Sequence, residues 1–493
     1  MTPAVFNLIL IFSFLLALCL FALIYLYVSS KKAQPQIKIE AHSYLIIYAS
    51  QSGQAQYFAT QVAKQLNAAN EDTVLVSAEH LQPSMLKQAS KVIWLVSTYG
   101  EGDHPDTAQH MVQWLFDAKL DLNLSEQNFI VLGFGDRHYD HFCAFAQRVH
   151  HRLLELAAKP WQNVMTVDQL SPKDLNAFAE MLSQITRHRI VLSEQEKQWF
   201  PITLKQRALL NTGSQGTGLY HLSFAMDKSI EWKSGDLLEI KCQNTTKDLT
   251  LFMAQHPELS DIDAETLKFK NLRRLETKSA NVSNVEWVNN LENLPIREYS
   301  IASIASHGQL ELVVRQEINE GELGLGSGLL TNSLNLNDEI YGSIRSNPSF
   351  HLNPQSTPAI FIGNGSGIAG LLAHLHQREK DGHQKNWLIY GERQSATDQI
   401  FDIQISKWQS QNILSKVDRA YSRDADAPYK YVQDVLKVHA NEIKTWIEDG
   451  ATIYICGSLK GMATDVHKTL ESILGSTKLN ELLLEHRYCR DVY

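Results

Sequence analysis

Residues 297–303 read Arg-Glu-Tyr-Ser-Ile-Ala-Ser. Arg297 presents a forked cation that matches a pyrophosphate, Tyr299 a face for stacking, and Ser300 a small hydroxyl for a reactive ring atom. The same residues also fit an ordinary strand with one exposed Arg, so the surrounding motifs decide. Ser50-Gln51-Ser52-Gly53-Gln54-Ala55 places hydroxyls and bare amides at a helix start, a cradle for an anion. It has no Lys, which suits a monophosphate better than a nucleoside triphosphate. A second loop begins Ser97-Thr98-Tyr99-Gly100, and a third spans 133–143 with Gly135, Tyr139 and Phe142. Tyr99 and Tyr139 on facing loops can sandwich a flat ring. Gly363-Asn364-Gly365-Ser366-Gly367 is a turn that lets backbone approach a second pyrophosphate.

The elements that position these residues follow from periodicity. Residues 44–49, 92–97 and 129–133 are apolar runs of strand length, each leading into a polar, Gly-bearing loop. This predicts a doubly wound parallel sheet with helices on both faces and a ligand at the strands' carboxyl ends. From residue 203 the pattern alternates, with strands at 218–224, 236–241, 310–316 and 339–345, as a small antiparallel barrel requires. Residues 267–275 read as one helix between two of these strands. Strand 359–362 then opens another α/β unit.

The chain has 493 residues, enough for three ordinary domains. A net charge of −9 argues against nucleic acid as a partner. Five scattered Cys with no metal spacing suggest a reducing compartment. Residues 5–28 are almost unbroken apolar sequence, long enough to cross a bilayer, with Lys31, Lys32 and Lys38 following. The expectation is a single-pass inner-membrane anchor, N-terminus out, with everything after it cytoplasmic.

Arg297-x-Tyr299-Ser300 resembles the FAD-binding signature of the ferredoxin–NADP reductase family. The wider chain resembles its NADPH-dependent diflavin branch, which includes the sulfite reductase flavoprotein subunit and the NADPH–cytochrome reductases. The resemblance implies a fold of flavodoxin-like domain, FAD-binding β-barrel and NADP-binding α/β domain. The expected divisions are anchor 1–30, tether 31–42, FMN domain 43–189, hinge 190–202, barrel 203–354 with a shortened connecting insert, and NADPH domain 355–493. By resemblance, Ser50 to Ala55 hold the FMN phosphate and Tyr99 and Tyr139 flank its ring. Gly328 and Thr331, opening a helix, join Arg297 on the FAD pyrophosphate. Gly363, Gly365, Ser366 and Gly367 take the NADPH pyrophosphate. Arg393, Ser422, Arg423, Lys430, Tyr431 and Gln433 surround the rest of that cofactor, with Arg423 on its 2′-phosphate. The ending Arg487-Tyr488-Cys489-Arg490-Asp491-Val492-Tyr493 matches that of the sulfite reductase flavoproteins. It implies that Ser300, Cys456 and Asp491 form the hydride-transfer group and that Tyr493 covers the flavin.

The expected function is therefore a membrane-anchored oxidoreductase passing electrons from NADPH through FAD and FMN. Its acceptor is expected to be a haem protein or an iron centre such as a ferric siderophore system. The alternatives are the flavoprotein component of an assimilatory sulfite reductase and a non-catalytic membrane scaffold with degenerate flavin domains.

Overall fold

The computed structural model describes residues 39–40, 42–50, 53–98, 102–137, 141–194, 196–273, 275, 278–279, 281–353 and 358–493. The expected apolar span and most of the tether lie outside the described residues, as do Gln51, Ser52, Tyr99, Gly100 and Tyr139. Among the described residues no helix is long and apolar enough to cross a membrane.

Strands β1 (Tyr44–Ala49), β2 (Thr73–Ser77), β3 (Lys91–Ser97), β4 (Asn128–Gly135), β5 (Lys159–Pro160) and β6 (Met165–Asp168) form one parallel sheet. Its order is β2-β1-β3-β4-β5, with β6 also against β4. Successive side chains alternate between two cores. Leu45, Ile47, Trp94 and Val131 point to one, and Ile46, Ile93, Leu95 and Leu132 to the other. A strand buried on both faces must be apolar throughout, which is why these runs do not alternate in sequence.

The second domain contains β7 (Phe200–Leu209), β8 (Leu219–Ala225), β9 (Leu237–Lys241), β10 (Ile296–Ser300), β11 (Leu310–Arg315), the short pair β12 (Ile318–Asn319) and β13 (Glu322–Leu323), and β14 (Glu339–Arg345). Six of them form a sheet in the order β10-β9-β14-β7-β8-β11, with antiparallel pairing throughout. A bridge from Ile301 to Leu312 joins its two ends and closes a barrel. Between β9 and β10 lies an insert with its own small core of Leu249, Phe252, Leu259, Ile262, Leu267, Val288 and Leu291. The helix expected over 267–275 is not formed among its described residues. Leu267 ends a 3₁₀ turn and Lys270 pairs with Asn293. The insert's helices are Thr246–Gln255 and Asn284–Asn290, started by a Thr245/Asp248 capping box and a Ser283 cap.

The third domain is a parallel sheet of β15 (Ala359–Asn364), β16 (Asn386–Glu392), β17 (Leu414–Tyr421), β18 (Thr452–Gly457) and β19 (Tyr488–Val492). Its order is β17-β16-β15-β18-β19. The expected hinge is narrower than its sequence suggests. Gln61 exchanges two hydrogen bonds with the backbone of Ser193, and Gln65 two with Val191. Pro201 already belongs to β7. Residues 194–199 are left between the strap and the strand, with Lys197 paired to Glu239 at 2.7 Å.

The helix Ile368–Lys380 packs the third domain onto the barrel. Its His376 stacks edge-on to His307 of the barrel at 4.7 Å and to Trp408 at 4.9 Å. Burial, with His307 adding to it, holds His376 down at about 4. An unfolded His titrates near 6.5. The stabilisation from keeping this ring neutral is therefore complete above about pH 6.5. It is lost as pH falls through about 4, and amounts to about 3 kcal/mol. Urea unfolding followed by tryptophan fluorescence is expected to weaken steeply over that window, and His376→Gln to flatten the dependence.

Candidate functional site

Ser300 ends β10 of the barrel, Cys456 sits near the end of β18, and Asp491 lies on β19. Cys456 and Asp491 are register partners across the parallel pair. The Ser300 hydroxyl donates to Asp491 Oδ2 at 2.7 Å, and the Cys456 thiol donates to the same oxygen at 3.7 Å. Burial raises the Asp491 carboxyl above its ordinary range. Burial, then the nearby Asp491, push the Cys456 thiol well above its own. Tyr493 follows two residues on. Its ring is 57% exposed and its hydroxyl donates to Ser366 at 3.0 Å.

The turn carrying Gly365, Ser366 and Gly367 is pressed onto β18. A Cβ at Gly367 would fall 2.1 Å from the Cys456 carbonyl oxygen, and one at Gly363 would fall 2.6 Å from it. Gly365 has φ of +55°. The helix that follows carries no acidic residue in its first turn, so its amides suit an anion. Asn364 Oδ1 accepts the Ser458 N–H at 3.1 Å. Beneath the turn, Tyr390 donates to the Gly365 carbonyl and to Glu392, and Arg315 of β11 pairs with Glu392 at 3.1 Å. Burial raises Glu392. This tie between barrel and turn has no sequence signal, because its members come from separate strands.

At the barrel, Arg297 is exposed and Tyr299 half-buried. Gly326 lies against both. A Cβ there would sit 2.5 Å from Tyr299 Oη and 2.7 Å from Arg297 Cγ. That close approach fits a cradle for a pyrophosphate, and the Gly-Leu-Gly-Ser-Gly run at 324–328 was its signal. The helical turns run from Leu325, so Gly328 and Thr331 lie inside them and not at their start. Thr331 donates to the Ser327 carbonyl at 2.7 Å and accepts from Gln316 at 2.9 Å. Gly328 backs onto Leu323.

In the first domain the ends of β1, β3 and β4 converge. Ser50 Oγ accepts the Ala55 N–H at 3.2 Å, and Thr107 pins the Ser50 backbone. Gly53 has φ of +83° at the start of the helix Gln54–Ala68, which has no acidic residue in its first turn. The buried hydroxyls of Ser97 and Thr98 have no hydrogen-bond partner among the described residues. Such orphaned donors fit a polar flavin edge. Gly135 lets Phe142 and Cys143 close in, and Phe142 lies under the Arg137 guanidinium at 4.4 Å. Asp168, at the end of β6, accepts the Arg137 N–H at 3.0 Å.

Around the expected 2′-phosphate, Arg423 is exposed and Ser422 hydrogen-bonds the Glu392 carbonyl. Arg393 lies in a notch that a side chain at Gly216 would fill. Lys430 is turned onto the carbonyls of Asp424 and Ala425. It thus braces the 424–425 turn. Tyr431 is exposed at a helix start, and Gln433 reaches Asp465 at 3.5 Å.

The first domain docks beside the Ser300–Asp491–Cys456 group. Asp106, just after the Gly102 turn, forms an ion pair with Arg490, the neighbour of Asp491. Gln109 contacts Asn480 at 3.3 Å and Glu79 faces His486 at 3.3 Å. None of these residues was singled out from sequence, since each reads as an ordinary surface polar group.

The chain matches the flavodoxin family over residues 46–179 and the oxidoreductase NAD-binding domain family over 361–468. It is 28% identical to the sulfite reductase [NADPH] flavoprotein alpha-component of Yersinia enterocolitica, covering 91% of this chain and 89% of that protein. It is 26% identical to the protein of the same name from Bacillus subtilis, covering 94% and 91%. The Photobacterium profundum protein of that name is also 26% identical, covering 94% and 90%. The expected inner-membrane placement is corrected accordingly. No described helix can span a bilayer, and these relatives carry the name of a sulfite reductase component.

Gly326→Ala should overpack the Arg297–Tyr299 cradle at a cost of about 1–3 kcal/mol. Released-flavin analysis is expected to find FAD depleted about ten-fold or more, with FMN retained.

Proposed function

Because the chain is an NADPH-dependent diflavin reductase, with FMN, FAD and NADPH as its cofactors, we propose that it is the electron-donating flavoprotein of a sulfite reductase-type haemoprotein. Support for that acceptor comes from the match, along about nine-tenths of both chains, to flavoprotein alpha-components of sulfite reductase. Bound FAD and FMN supply the conversion from a two-electron donor to a one-electron acceptor.

The observation that carries the reading is the Ser300–Asp491–Cys456 contact where barrel and third domain meet. Ser300 and Asp491 fix each other, so the nicotinamide and flavin rings are held against a rigid wall. A thiol raised so far by burial stays protonated and is a poor nucleophile. Cys456 therefore orients and excludes water, and takes no covalent part. Arg297 and Tyr299 hold the FAD side; Ser97, Thr98 and the Ser50 loop hold the FMN side. Arg423 and Ser422 favour the 2′-phosphate of NADPH.

The first domain moves about residues 194–199 between the docked pose and the acceptor. The Asp106–Arg490 pair, with side chains only 17% and 20% exposed, steadies the docked pose. Asp106→Asn is expected to slow electron delivery to a one-electron protein acceptor about five-fold, roughly 1 kcal/mol of pair energy. NADPH-driven bleaching of the first flavin should be unaffected, as stopped-flow absorbance would record.

The acceptor is tested by mixing the purified protein with a sulfite reductase haemoprotein, NADPH and sulfite under nitrogen. Sulfide should form only when both proteins are present. Two flavins that NADPH reduces, but no sulfide, would discard this acceptor and leave the diflavin chemistry standing.

A further inference from the structure

The backbone of Tyr493 is held at both sides. Its N–H donates to the Gly457 carbonyl at 3.1 Å, and its carbonyl accepts the Leu459 N–H at 2.9 Å. As a residue Tyr493 is 57% exposed. The hydroxyl at the ring's end donates to Ser366 Oγ at 3.0 Å. Ser366 is the opposite of mobile. Its neighbour Gly367 lies so close to Cys456 that a single added carbon would meet the carbonyl at 2.1 Å. Tyr390 holds the Gly365 carbonyl from below at 2.7 Å. The end of the ring is thus moored to a fixed post, and the post stands in a Gly-rich turn whose geometry suits a dinucleotide's phosphates.

Building on the reductase reading, we propose that Ser366 is a shared latch. It holds Tyr493 over the flavin until the pyrophosphate of the nicotinamide cofactor docks, and then gives its hydroxyl to the phosphate. A hydrogen bond to a charged phosphate oxygen is roughly twice as strong as one between two neutral hydroxyls. The exchange therefore runs downhill once the phosphates arrive, and Tyr493 is released while the nicotinamide is already tethered nearby. The cover opens for a whole dinucleotide and stays shut to water. Ser366 is in this sense a positioning residue, acting through Tyr493 as well as on the phosphate.

The test is a double-mutant cycle on the flavin-loaded protein, using Tyr493→Phe, Ser366→Ala and the pair, with NADP+ dissociation constants from equilibrium dialysis. Phenylalanine keeps the ring and removes only the moored hydroxyl. Tyr493→Phe is expected to tighten NADP+ about five-fold, the size of one partly exposed hydrogen bond. In the Ser366→Ala background the same change should have no effect, because no latch remains to be broken. Equal effects of Tyr493→Phe in both backgrounds, or none in either, would overturn the latch while leaving the reductase reading intact. Failure of the unaltered protein to bind NADP+ would overturn both. As a second readout, near-ultraviolet circular dichroism of the bound flavin should change on adding Tyr493→Phe to the parent and not on adding it to Ser366→Ala. The same change in both backgrounds would also count against the latch.

Discussion

The Ser300 hydroxyl and the Asp491 carboxyl meet across a domain boundary, 2.7 Å apart, with Ser300 buried and Asp491 half-buried. A buried carboxyl without a partner is costly, and its partners must stay where they are. This one contact obliges β10 of the barrel, β18 and β19 to keep a single relative position. Glycines make it possible. A Cβ at Gly370 would lie 3.2 Å from Cys456 Sγ and 3.7 Å from the Ser300 Cβ, so anything larger would wedge the three strands apart. The Arg315–Glu392 pair repeats the constraint a few residues away, joining barrel strand β11 to the Gly-rich turn.

One edge strand then serves two sites. Successive residues of β19 face opposite ways. Asp491 turns to Ser300, and Arg490 turns to Asp106 of the flavodoxin-like domain. The strand that carries the Ser300–Asp491 contact is therefore also the strand on which that domain rests. The insert present here is small, with a core of its own.

Mobility is confined by simple means. Two glutamines one helical turn apart, Gln61 and Gln65, match two backbone amides of an extended segment, Val191 and Ser193. The helical spacing of four and the extended spacing of two cover similar lengths, since rises are about 1.5 Å and 3.3 Å per residue. The alternate residues of that segment, Ile190 and Leu192, are buried in the first domain's core, so the strap is held by packing as well as by hydrogen bonds. At the other end of the chain, Tyr493 has its backbone held on both sides.

Local rules were enough for much of this protein. Apolar runs of strand length marked β1, β3, β4 and β15, because a strand buried on both faces has no choice of residue. Glycines at 363, 365 and 367 and the Arg297–Ser300 signature marked their loops, because backbone approach and forked charge depend on residue type alone. The insert's helices were missed, since they are set by caps at Thr245 and Ser283 and the hydrophobic pattern pointed elsewhere. Thr331 read as a helix start, yet the turns begin at Leu325, so its hydroxyl is spent on Ser327 and Gln316. Lys430 read as part of the NADPH pocket, and the structure turns its ammonium onto two carbonyls of the turn it follows. The Asp106–Arg490, Arg315–Glu392 and Tyr493–Ser366 contacts were beyond any sequence pattern. Each joins polar residues far apart in the chain, whose types are common on every surface. Only the packing of the domains decides which of them meet.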